Sequence, residues 1–269
     1  MDTRSVIEKI KLYLFDMDGT LYLGSRLYDF TVELLSHIRR TGGKYLFITN
    51  NSSKSVTDYV KKLRLMGIEA TREDFMTSSQ ATAYYLHNHH EGQRLYVCGT
   101  ESLKEELRSE GFAVTENIDE VDCIVMGFDT ELTFQKLHDV SCLLLTRPDI
   151  PYIATNPDLV CPTEFGSVPD CGSVCGMIYN ATGKRPVVIG KPSPLMPQLA
   201  MERLGCAKEE TCVVGDRIYT DVKSGLNAGC IGILVMSGET TPEILAQSPD
   251  KPHLVLESGR EILDILKTL

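Results

Sequence analysis

Residues Leu12-Tyr13-Leu14-Phe15 are apolar at every position, and an aspartate follows at once. A short run with no polar face suits a strand covered by helices on both sides; a half-wet strand would alternate. Tyr45-Leu46-Phe47-Ile48 repeats the pattern. Between the two, Val32, Leu34, Leu35 and Ile38 recur at helical spacing, and Gly42-Gly43 ends that helix. This is a βαβ unit, and it predicts a parallel sheet. The alternation continues through strand candidates at 94–98, 122–126, 152–155, 187–189, 212–214 and 231–235. Helix candidates lie at 103–110, 134–145, 197–204 and 221–228. The fold class expected is α/β, with a Rossmann-like parallel sheet. We find no repeat and no low-complexity tract.

The 269 residues allow one large domain or two modest ones, with enough chain for a core that needs no metal or disulfide staple. Apolar residues at 42% argue against disorder. No run approaches the roughly 18 apolar residues of a membrane span. Asp2, Arg4, Glu8, Lys9 and Lys11 crowd the start, which is unlike a secretory signal. The expected location is therefore the cytoplasm, where the nine cysteines would act as small buried hydrophobes. The net charge of −10, with no Lys/Arg cluster, excludes a generic nucleic-acid binder. The surplus of carboxylates is either solvated surface or, in part, a metal site.

Chemistry concentrates at the ends of the apolar runs. Asp16-Met17-Asp18-Gly19-Thr20 follows the first run, and open α/β sheets bind ligands just beyond their strand ends. Thr49-Asn50-Asn51-Ser52-Ser53 follows the second, offering donors to an anion. Lys191 comes directly after Ile189-Gly190 and can neutralise a bound phosphoryl group. Gly215-Asp216-Arg217 follows Val213-Val214 and leads on to Asp221. Taken singly, each is an ordinary turn, helix cap or loop lysine. Together they form a hard-oxygen site for a divalent cation, most naturally Mg²⁺, with Lys191 completing the charge balance. His87, His89 and His90 have no acids at ligand spacing and are expected at an exposed helix end.

These segments resemble the haloacid dehalogenase (HAD) superfamily, specifically its phosphatases. The resemblance covers nearly the whole chain. Asp18, two residues after the first aspartate, follows the phosphatase pattern rather than that of the dehalogenases. Thr49 lies 33 positions beyond Asp16, which leaves no room for a large insertion there. Lys191 lies 142 positions beyond Thr49, far more than a βαβ crossover of about 30 residues needs. An inserted α/β cap in that interval is similar to the NagD and para-nitrophenylphosphatase branch, subclass IIA. The boundaries expected are a catalytic core at 1–79 and 185–269, with a specificity cap at 80–184.

The resemblance implies a Mg²⁺-dependent phosphatase of small phosphorylated metabolites: sugar phosphates, nucleoside monophosphates, phosphoglycolate or pyridoxal phosphate. It implies Asp16 as nucleophile and Asp18 as general acid and then base, so Asp18 must carry a proton when substrate arrives. The metal ligands expected are the carboxylates of Asp16 and Asp216 and the backbone carbonyl of Asp18, with Asp221 in support. Lys191 and Thr49 would hold the phosphoryl group. Asn50, Asn51, Asn156 and Asp158 are the substrate-binding candidates, and cap closure would exclude water. A homodimer is compatible with the chain; no nucleic-acid polymer or membrane is expected as partner. Two alternatives stay open: a phosphotransferase or mutase using the same aspartyl-phosphate, and a non-catalytic regulator that binds phosphometabolites.

Overall fold

A computed structural model describes residues 2–163 and 165–269. The chain divides into two compact units: residues 1–49, 56–76 and 191–269 form the first, and 50–55 and 77–190 the second.

The first unit opens with strand β1 (Leu12–Phe15), a small hairpin of β2 (Tyr22–Leu23) and β3 (Arg26–Leu27), then β4 (Lys44–Thr49) and β5 (Phe75–Thr77). The second unit contains β6 (Arg94–Cys98), β7 (Ala113–Val114), β8 (Cys123–Met126), β9 (Tyr152–Ala154), β10 (Val160–Thr163), β11 (Gly166–Pro169) and β12 (Val187–Val188). The chain then returns to the first unit with β13 (Thr211–Gly215), β14 (Ile231–Val235) and β15 (Leu254–Leu256).

The first unit's sheet runs β15-β14-β13-β1-β4-β5. β1 pairs in parallel with β13 on one side and β4 on the other. All four residues of β1 are buried, as are all five of β13. The helix Thr31–Arg40 turns Leu34, Leu35 and Ile38 inward, onto the same core as Phe15, Phe47, Ile262 and Leu263. From β1 the chain winds outward to β4 and β5, and later from β13 to β14 and β15 in the opposite direction. The winding therefore reverses between β1 and β13. A parallel sheet splits open at such a reversal, because the loops leaving its two central strands run to opposite sides.

The second unit has its own parallel sheet, β12-β9-β8-β6-β7, and a separate antiparallel hairpin of β10 and β11. Tyr96, Ile124, Met126 and Ala154 from the sheet pack with Val140, Leu143, Val174 and Ile178 from its helices. It is an inserted α/β unit, but its limits differ from the expected 80–184. The segment read as a buried strand of the core at 187–189 instead joins the second sheet at its edge, with Val187 opposite Ile153 and Val188 opposite Ala154. Val187 is half exposed, as an edge strand allows. An apolar triplet carries no mark of which sheet it will join, so the boundary moves to 190/191.

Among the described residues no disulfide is formed, and six of the nine cysteines are buried. The three histidines do lie at a helix end, where His87 packs on the Phe112 ring and His89 on Tyr85. Among the described residues, no helix is long and apolar enough to cross a membrane.

Candidate active site

Asp16 is the first residue beyond β1, and Asp216 the first beyond β13, so both stand at the point where the winding reverses. Asp221 comes back to them because residues Ile218–Val222 form one wide helical turn before the helix Lys223–Ala228. Such π-type turns re-aim a side chain that a regular helix would point elsewhere. Carboxylate oxygens of Asp16, Asp216 and Asp221 all lie within 4.8 Å of one another.

Lys191 is the counter-charge. It is almost wholly buried, and its Nζ donates to Asp16 Oδ1 and to Asp221 Oδ1, at 2.6 Å each, and to the Ile48 carbonyl at 3.4 Å. Burial by itself would lower the ammonium's pKa, but the two carboxylates outweigh it and hold Lys191 above its ordinary range. Three acids against one base still leave a surplus of negative charge. Burial, opposed by Lys191 but helped by Asp221 and Asp216, pushes Asp16 up to about 8. Burial and the charge of Asp221 push Asp216 up to about 6.

The cluster fits a divalent cation. Asp216 Oδ2 accepts the Glu239 N–H at 2.7 Å, whereas its Oδ1 is buried with no hydrogen-bond partner among the described residues. An orphaned carboxylate oxygen costs free energy unless something positive meets it. The space is also guarded: a Cβ added at Gly19 or at Gly238 would run into the Asp216 carboxylate. Gly19 further adopts φ +86°, which a residue with a side chain rarely takes up.

The pKa shifts set a pH dependence. Both carboxylates have folded pKa values raised above the unfolded ones. Their contribution to stability is therefore full near pH 4 and is lost as pH rises through about 6 and about 8. A divalent cation bound to the ionised cluster would reverse that loss. The gain in melting temperature on adding the cation, measured against EDTA, should therefore grow from pH 5 to pH 8. With cation at a hundred times its Kd the stabilisation is about 2.7 kcal/mol. That corresponds to roughly 5–10 °C for a chain of this size. A gain independent of pH would remove the carboxylate cluster as the binding site.

The other residues singled out in the sequence divide into two groups. Thr49, the last residue of β4, is buried beside the Ile48 carbonyl that Lys191 touches. Asp18 is exposed; its side chain is not part of the carboxylate cluster, and its Oδ1 accepts the Gly24 N–H at 3.2 Å. The second unit gathers Asn50, Asn156 and Asp158. The Asn50 carbonyl accepts from Ser78 Oγ (2.7 Å) and Asn156 Nδ2 (2.9 Å). Asn50 Nδ2 donates to both oxygens of Asp158 at 3.1 Å. Asn156 is fully buried, and its Oδ1 accepts the Asp158 N–H at 2.9 Å, so both ends of its amide are engaged. Asn51 Oδ1 accepts from the Ser53 N–H and hydroxyl, a local turn bond.

The sequence reading missed the loop after β14. Ser237 Oγ donates to the Gly19 carbonyl at 2.7 Å, Glu239 N–H holds Asp216, and Thr240 N–H donates to the Asp216 carbonyl at 3.2 Å. Arg217 was likewise passed over, although its Nε lies 2.7 Å from Glu239 Oε2. The signal was present: Ser237-Gly238-Glu239 stands beyond the end of a buried strand, the rule that found the other segments.

Known proteins resemble this chain over most of its length. A haloacid dehalogenase-like hydrolase model matches residues 13–113, and a HAD-hydrolase-like model matches residues 188–262. The chain is 36% identical over 251 residues to the 5'-nucleotidase YutF of Bacillus subtilis, covering 93% of this chain and 96% of the relative. The 4-nitrophenylphosphatase of Thermotoga maritima superposes with a TM-score of 0.90 at 39% identity, over 97% of this chain and 98% of that one. NagD from Escherichia coli K-12 superposes with a TM-score of 0.84 at 30% identity, over 93% and 96% respectively. Two family models, identities of 30% and above and near-complete coverage make one conclusion: the chain belongs to the haloacid dehalogenase-like hydrolases, in the branch of NagD and the para-nitrophenylphosphatases (subclass IIA).

Proposed function

We propose that this phosphoric monoester hydrolase is a Mg²⁺-dependent phosphatase of small phosphorylated metabolites that carries the phosphoryl group on Asp16. The observation that carries the reading is the placement of Asp16. It stands at the reversal of the sheet, paired with Lys191 at 2.6 Å and grouped with Asp216 and Asp221. Its relatives named for nucleotides and for nitrophenyl phosphate support the substrate class.

In this reading an oxygen of Asp16 attacks phosphorus and forms an acyl-phosphate bond as the ester oxygen departs. Asp18 gives that oxygen a proton, and its exposed position suits a group that must meet different leaving groups. Asp18 then takes a proton from water, whose oxygen attacks phosphorus; inorganic phosphate leaves and the Asp16 carboxylate is restored. Lys191 stays charged throughout and balances the transferring group. Thr49 and the N–H groups of Asn50 and of the Met17–Asp18 turn supply donors to its oxygens. Asp16 and Asp216, with the Asp18 carbonyl, would hold Mg²⁺, and Asp221 would brace Lys191 and the shell. When bound, the cation neutralises charge developing on the phosphoryl oxygens.

The inserted unit, residues 77–190 with 50–55, is proposed as the specificity cap. Within it we assign Asn156 as a positioning residue. Its committed amide fixes the Asn50 peptide, and Asp158 fixes the Asn50 side chain. Cysteines held outside disulfides, among the described residues, support action in the reducing cytoplasm.

The test is a release assay. With Mg²⁺ and a panel of phosphomonoesters, inorganic phosphate should appear, and EDTA should abolish its appearance. Phosphoryl exchange between metabolites without phosphate release would identify a transferase or mutase. Binding without turnover would identify a regulator.

A further inference from the structure

Arg217 follows Asp216 directly, and most of its guanidinium is unused. Nε is paired with Glu239 Oε2 at 2.7 Å. Its two terminal amino groups have no hydrogen-bond partner among the described residues, and 27% of the side chain is exposed.

The group is nonetheless held in place. The Glu239 carboxylate also accepts from the Tyr219 hydroxyl, and the Glu239 N–H donates to Asp216 Oδ2. One residue thus fixes both the cation-binding carboxylate and the neighbouring arginine. Burial opposes the charge of Arg217, and the carboxylates of Glu239 and Asp16 outweigh that opposition.

A guanidinium clamped at one nitrogen, with its two terminal amino groups unbonded, on a residue just beyond a strand end, can bind a planar or tetrahedral anion through both of them. The transferring phosphoryl group already has Lys191 and the cation cluster. A separate fixed cation on the residue after Asp216, held by the same Glu239, suits a second negative charge on the same molecule. An uncharged leaving group would leave the fork with water alone.

Resting on the phosphatase reading above, we propose that Arg217 is a specificity-determining residue that receives a second anionic group, a carboxylate or a phosphate, carried by the leaving group. The preferred substrates are then small phosphomonoesters with two anionic ends. Differential binding of that second anion raises kcat/KM for them over neutral esters of the same size.

Three substrates with one three-carbon chain test this: 3-phosphonooxypropanoate, 1,3-propanediol bisphosphate and 3-hydroxypropyl phosphate. The parent enzyme should favour one or both anionic members over the neutral one by about ten- to hundred-fold in kcat/KM, the scale of a charge-assisted hydrogen bond. Which anionic member leads separates carboxylate from phosphate as the natural group. Arg217→Gln should erase the preference, and Arg217→Lys should keep part of it. The cation-induced rise in melting temperature should survive in Arg217→Gln, because Glu239 N–H still holds Asp216.

No preference in the parent enzyme, or an unchanged preference in Arg217→Gln, overturns the proposal. Loss of the cation-induced rise in that variant overturns it too, in favour of a role in positioning Asp216. Turnover of para-nitrophenyl phosphate with none of the three-carbon esters also counts against it. Absence of phosphate release from every ester, para-nitrophenyl phosphate included, instead defeats the phosphatase reading on which it rests.

Discussion

Asp16→Asn should abolish phosphate release from every ester, by a factor on the order of 10⁴ or more, the scale for removing a nucleophile that works within a unit. The substitution keeps the volume and one carbonyl oxygen, but an amide cannot form the acyl-phosphate. Folding should survive, because Lys191 keeps Asp221 at 2.6 Å and the cluster sheds one buried charge. Asp18→Asn should behave differently. It removes a proton donor and leaves the nucleophile, so its cost depends on the leaving group. An alkyl phosphate needs the proton and should lose roughly 10²–10⁴-fold. Para-nitrophenolate leaves without one and should lose much less in the first step. The kcat/KM of both esters in both variants checks the pair of assignments, because it reports the first step and not the hydrolysis of the acyl-phosphate, which Asp18→Asn slows alike for every ester. Equal losses in kcat/KM on the two esters in Asp18→Asn would remove Asp18 as the acid, and residual turnover in Asp16→Asn near the parent level would remove Asp16 as nucleophile.

The parts of this site that could be read in the sequence are those set by local rules. Leu12–Phe15 has no polar face, so it had to be an interior strand, and Asp16 had to stand at its end. The same logic located Asp216 after β13 and Thr49 at the end of β4. What the sequence hid depends on contacts far apart in the chain. Nothing local says that Val187–Val188 pairs with β9 rather than with the first sheet. Nothing at Asn156 shows that its amide is taken up by a carbonyl 106 positions earlier. A buried, fully bonded amide and a substrate-reading amide have the same turn composition around them. Arg217 and Glu239 were hidden for another reason: a charged residue next to a recognised acid reads as solvated surface until its partner 22 positions on is seen.

Lys191→Met should separate what the lysine does for folding from what it does for catalysis. Methionine matches much of the stem's length and adds no charge. In EDTA at pH 8 the variant leaves the partly buried Asp16 and the buried Asp221 without their common partner, beside Asp216. Breaking a buried ion pair from one side costs about 3–5 kcal/mol, because the charge left behind has neither water nor counter-ion. At roughly 2–4 °C per kcal/mol, the melting temperature should fall by about 6–20 °C. The deficit must shrink toward pH 5. Lys191 is charged across that whole range, since its pKa is raised further above an already high value, so it contributes no slope of its own. The carboxylates do: with folded values raised to about 8 and about 6, they take up protons as pH falls and no longer need a cation. Added Mg²⁺ should recover part of the pH 8 deficit by supplying the missing charge, while turnover stays low because the cation does not replace the ammonium at the phosphoryl group. Melting curves of parent and variant at pH 5 and pH 8, with EDTA or Mg²⁺, read all of this. A variant within about 2 °C of the parent at pH 8 would mean that Lys191 is not the charge on which the cluster depends.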